Sequence, residues 1–217
     1  MHRRGETLGG VVRPLPPWRA APRWEWSTKE DSRAMSTRAP VENADTVSLV
    51  CALLVRFPEL ASIRSGPAER TVRLTFAVRQ RLDRVAQAAL AEAIDDHVRS
   101  FLALAKEVPA VLRVDCEGDR AFTFVHVTRD LETFSKEELE LHVAFFTDRC
   151  GEALVRNPHP DDHLEADPAA EDEAAQYAVE ALRDPTQSKS LVGFREEKRV
   201  LVYFLKSQKK AKASARR

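Results

Sequence analysis

No Cys-x-x-Cys pair, no long apolar run and no excess of either charge occurs in this 217-residue chain. Each absence removes a class of protein. The three cysteines, Cys51, Cys116 and Cys150, are odd in number and far apart, so they point to neither a disulfide framework nor a thiolate zinc site. Each falls inside an apolar pattern, where a thiol behaves as a small hydrophobe. The most apolar stretch, Val47 to Val55, is far shorter than the roughly 20 residues of a membrane-spanning helix. Basic residues near Met1 are not followed by the apolar segment of a secretory signal. The expectation is a reduced, cytoplasmic setting with no membrane partner. Lysine plus arginine number 34, as do aspartate plus glutamate. Bulk charge therefore indicates no polyanion, and any such partner must be held by a local cluster. Glycine is scarce, at seven residues, and no phosphate loop, no G-x-S-x-G and no H-E-x-x-H is present. The expectation is a non-enzymatic role without a cofactor.

What is present divides the chain in three. Residues 1–44 carry Pro14, Pro16, Pro17, Pro22 and Pro40 among scattered arginines without a sustained period, a composition that reads as an unstructured tail. All three tryptophans (Trp18, Trp24, Trp26) sit in it. Either they form a motif that docks on a partner, or translation starts at Met35, the only other methionine, and residues 1–34 are a start-site artefact. Residues 45–205 read as a single α+β domain, and residues 206–217 as a basic, unstructured tail.

Within the domain, Asp45 or Thr46 caps an apolar segment that runs to Phe57 and stops at Pro58. Leu60–Ser65 and Thr71–Val78 read as a hairpin around Gly66-Pro67. A long helix is predicted over 80–107, with Leu82, Val85, Ala89, Ala93, Ile94, Phe101 and Leu104 as its apolar stripe and Pro109 as its stop. A second hairpin pairs 110–117 with 121–128 around Gly118-Asp119. Ser135 and Glu138 form a capping box for a helix to Ala153, with the stripe Leu139, His142, Val143, Phe146 and Cys150. An acidic loop over 157–173, a short helix over 171–182 and a hairpin over 191–205 complete the domain. Three hairpins separated by helices predict a mainly antiparallel sheet packed on helices. From Thr71 the β-α-β-β-α-β order is that of a ferredoxin-like sandwich.

Two segments carry candidate chemistry. His159-Pro160-Asp161-Asp162-His163, followed by Glu165 and Asp167, combines imidazole and carboxylate as a divalent metal requires. Its first four residues resemble the metal-binding motif of the N-acetylglucosaminyl zinc deacetylases, which implies a metal-dependent hydrolase using His159, Asp162 and His163. In that family the motif follows the first strand of a Rossmann-like sheet; here it follows a helix. The second segment runs from Arg120 to Val127. It resembles the octamer of the RNA-recognition motif at Arg120, Phe122, Phe124 and Val125, and departs from it at Ala121, Thr123 and Val127. The resemblance implies that Phe122 and Phe124 stack on bases while Arg120 and His126 contact phosphate or base from the same face. The alternative places both phenylalanines in the core beneath a helix. Lys209, Lys210 and Lys212 in the basic tail would add salt-dependent attraction to such a polyanion. His97 and His142 lie on helices and read as core or interface residues. Three functions stay open: a binding or regulatory module with a protein or RNA partner, the hydrolase, and a homodimeric interaction domain.

Overall fold

The computed structural model describes residues 44–156, 167–184, 189–196 and 199–205. Six strands, β1 (Leu60–Gly66), β2 (Thr71–Val78), β3 (Leu112–Asp119), β4 (Phe122–Asp130), β5 (Leu191–Glu196) and β6 (Arg199–Phe204), form one sheet. Their order is β3-β4-β2-β1-β5-β6, and every neighbouring pair is antiparallel. With the helices α1 (Ala44–Arg56), α2 (Arg84–Ala105), α3 (Lys136–Cys150) and α4 (Pro168–Leu182), this is an α+β fold. β2 and β3 are each antiparallel to β4, which lies between them, so β2-α2-β3 makes one split β-α-β unit. A ferredoxin-like sandwich repeats that unit with the last strand against β2. Here β1 occupies that place, and β5 pairs with β1 instead.

Local chemistry sets the helix ends. Asp83 accepts from the Ala86 N–H and starts α2 later than periodicity predicts. The helix ends at Ala105, ahead of Pro109, because Lys106 takes a left-handed backbone (φ 59°). Its buried stripe is Leu90, Ile94, Val98 and Leu102, a strict i+4 row, whereas Val85 and Leu104 are 79% and 86% exposed. Asp167 caps α4 through the Ala169 N–H, with Pro168 in the first turn. Residues 168–173 are thus helical rather than loop, and Glu171 and Asp172 suit the positive end of the helix dipole.

α1 is apolar nearly all round because it meets β1, β5 and β6 and also α4. It approaches β5 closely at Gly193, where an added Cβ would lie 2.3 Å from Val50 Cγ1. A bulge between Leu60 and Ser62 lets both Leu60 and Ile63 face the core. Phe76 stacks on Phe146 at 4.0 Å between centroids, tying the sheet to α3.

The largest fully buried side chain is Arg129, at the end of β4. All five of its N–H donors are used. Nε and Nη2 form a fork on Glu138 of α3 (2.5 and 3.0 Å). Nη1 donates to Asp130 Oδ1 (2.5 Å) and to the Val111 carbonyl (2.7 Å), and Nη2 also donates to Thr133 Oγ1 (2.9 Å). Asp130 in turn accepts from the Val111 N–H (3.0 Å), and from the N–H and hydroxyl of Thr133 (3.0 and 2.7 Å). Ser135 accepts from the Glu138 N–H as a capping box requires, but the Glu138 carboxylate turns inward to Arg129.

Burial alone would raise the Asp130 pKa; hydrogen bonds from Thr133 and Val111, with the Arg129 charge, overcome it and bring it down from 3.8 to about 2. The lowered pKa stabilises the fold above pH 4, and this contribution is lost as the pH falls towards 2. It amounts to about 2 kcal/mol. Urea unfolding between pH 5 and pH 2 is expected to show that loss in the natural chain and a flatter profile in Asp130→Asn.

Candidate functional site

Strand alternation divides β4 between two environments. Thr123, Val125, Val127 and Arg129 are buried on the side of the helices, and Val125 and Val127 belong to the hydrophobic core. Phe122, Phe124 and His126 are half-buried on the opposite side and outside that core. The two phenylalanine rings lie 6.4 Å apart and 21° from parallel. They therefore do not pack beneath any helix of the described residues. Arg120 is not on this face: it sits with Ala121 in the two-residue turn between β3 and β4, exposed, with φ 44°. The hairpin turns there rather than at Gly118-Asp119, which belong to β3.

The register places neighbours around His126. Across the sheet it aligns Asp115, His126, Thr75, Ser62 and Phe194 in one row. The adjacent row holds Arg113, Thr128, Arg73, Arg64, Val192 and Tyr203. On the other side, Glu117 is opposite Phe124 and Asp119 is opposite Phe122. The face thus has a phenylalanine pair at one end, an arginine band across β1, β2 and β3, and carboxylates along the edge strand β3. A second stacked pair, Phe194 and Tyr203, lies 5.7 Å apart at 16° on β5 and β6.

His126 Nδ1 is 3.1 Å from Thr75 Oγ1, and its Nε2 is 3.8 Å from Glu117. Burial lowers the His126 pKa below 6.5, and the Arg73 charge lowers it further against the opposing pull of Glu117 and Asp115. The imidazole is therefore neutral at pH 7, and its approach to Glu117 is not an ion pair. Arg73 Nε donates to Thr128 Oγ1 at 3.3 Å. Arg113 pairs with Asp115 at 2.8 Å.

His159, Asp162 and His163, and Lys209, Lys210 and Lys212, lie outside the described residues. Among the described residues no group of three or more histidine, cysteine, aspartate or glutamate side chains is placed to hold a metal ion. Burial raises the pKa of Cys51, Cys116 and Cys150, so the thiols are poor nucleophiles at neutral pH. Cys116 donates to the Gln87 carbonyl (3.7 Å) on the helix side of β3, opposite to His126, so these two do not form a pair. His142 is buried against Phe76, with Nε2 3.5 Å from Glu138 but outside hydrogen-bond geometry. No helix among the described residues is long and apolar enough to cross a membrane.

The arginine band is not visible in the sequence. Arg64, Arg73 and Arg113 occupy the polar positions of three different strands, and only the strand order and register bring them into one row. No family model matches the chain, and neither curated proteins nor solved structures show significant similarity to it.

The lowered His126 pKa has a defined sign. The fold disfavours imidazolium, so the contribution is complete above the unfolded value of 6.5 and is lost as pH falls through the lower folded value. His126→Asn is expected to remove this component. Between pH 7.5 and pH 5 its melting temperature should fall less than that of the natural chain.

Proposed function

We propose that this chain is a non-catalytic binding module that holds single-stranded RNA on the sheet face opposite its helices. The observation that carries the reading is the position of Phe122 and Phe124: stacked side by side, outside the core, on the strand next to the sheet edge. Aromatic rings in such a place accept bases, each stack being worth about 1–3 kcal/mol. The band of Arg64, Arg73 and Arg113 supplies fork-shaped donors for phosphate, which give affinity without sequence preference. The carboxylates of Glu117 and Asp119, opposite Phe124 and Phe122, repel phosphate from that end of β3 and direct the backbone towards the arginine row. Along β4, Thr128 in the arginine row is four residues from Phe124, about 13 Å at strand rise. Base and phosphate contacts would thus be separate along one strand.

The test is fluorescence anisotropy of the full chain with a labelled pool of mixed single-stranded RNA, at about 50 and 150 mM salt. Binding is expected, weaker at the higher salt. Phe122→Ala/Phe124→Ala should weaken it by roughly 30-fold or more, while thermal unfolding remains cooperative. Loss of cooperative unfolding in the variant would return both rings to a structural role. No binding by the natural chain at low salt would reject RNA and leave the face to an acidic protein partner.

A further inference from the structure

The arginine band has a feature that folding does not require. Arg64 and Arg73 are directly opposite each other in the β1–β2 register, and like charges in that relation destabilise a sheet. Arg113 reaches the same row from the far side of Thr128. Arg73, in the middle, is half-buried and has no carboxylate within 4.0 Å among the described residues; its side-chain hydrogen bond goes to the Thr128 hydroxyl. Burial, then the charges of Arg64 and Arg113, hold its pKa below the ordinary arginine value, against the opposing influence of Asp115. None of the three arginines contributes to the hydrophobic core.

We infer that Arg73, flanked by Arg64 and Arg113 and steadied by Thr128, forms a phosphate-binding site on the sheet. A phosphate oxyanion carries more than one negative charge and several acceptors, so one group can take guanidinium donors from two strands together. Its arrival sets an anion against the directly opposed Arg64 and Arg73. A carboxylate, with one charge and two oxygens, answers this less completely. The site rests on the RNA reading for its face and polymer, but the oxyanion is testable alone.

The experiment measures the melting temperature of the full chain against rising sodium phosphate, then inorganic tripolyphosphate, with ionic strength held constant by chloride. The natural chain should gain stability in proportion to the logarithm of anion concentration once the site fills. Arg73→Gln should be at least as stable as the natural chain without phosphate, and should gain nothing from it. Arg99→Gln, on the exposed face of α2 with Asp95 as its partner, should keep the full response. The inference is overturned if Arg73→Gln keeps the response, if Arg99→Gln loses it equally, or if Arg73→Gln is destabilised in chloride alone. A parallel arm with single-stranded RNA separates the sources. There Arg73→Gln should weaken binding roughly tenfold and lower the salt slope by about one. A phosphate response without RNA binding keeps the site and rejects the RNA reading. RNA binding insensitive to Arg73→Gln, with no phosphate response, rejects the site and keeps the RNA reading.

Discussion

A guanidinium with no exposed surface must be paired on every side, and Arg129 meets that demand through five hydrogen bonds to β4's own end, the turn at Thr133, the strand entry at Val111, and α3. The rest of the sheet follows from this constraint. Side chains alternate along a strand, so fixing Arg129 towards the helices places Val127, Val125 and Thr123 with it. The same parity places Thr128, His126, Phe124 and Phe122 on the other face. A slip of one residue would expose the valines and turn the phenylalanines inwards. It would also leave Glu138 and Asp130 without their cation. Aliphatic burial and the fork of charged hydrogen bonds therefore oppose the slip together.

Much of the architecture was legible in the sequence because it is local. Ser135 and Glu138 announced α3, the alternation in Thr71–Val78 announced β2, and the three hairpins announced an antiparallel sheet. The errors also have local causes. The α2 stripe was displaced because alanine fits either face of a helix, and the i+4 row from Leu90 to Leu102 competes with Val85 and Leu104 on periodicity alone. Residues 168–173 read as loop because proline and acidic residues signal breaks, yet the same residues favour a helix's first turn. Glu138 was read as a backbone cap when its carboxylate serves Arg129. Such a partner cannot be found from spacing, because charged residues are expected at the surface.

The candidate site was legible only in part. Phe122, Phe124 and His126 stood out by alternation, but two-residue periodicity does not say which face receives the helices. The arginine band was invisible, since Arg64, Arg73 and Arg113 belong to three strands whose adjacency is a property of the whole sheet. Its consequence is a chain with equal numbers of positive and negative residues that keeps a basic centre and an acidic edge on one surface. The edge charges of β3 have a second effect, as they discourage pairing with another strand. Arg64 and Arg73 lie inside that border, on β1 and β2, where a ligand rather than another sheet can reach them.

The Arg129–Glu138 pair acts as one unit that sets the parity of β4. A double-mutant cycle in urea tests it, using Arg129→Met, Glu138→Gln and the two together. Either single change is expected to remove about 3–5 kcal/mol, since each leaves a buried group uncompensated. The double variant should lose clearly less than the sum. Small, additive losses would instead assign the parity of β4 to aliphatic packing.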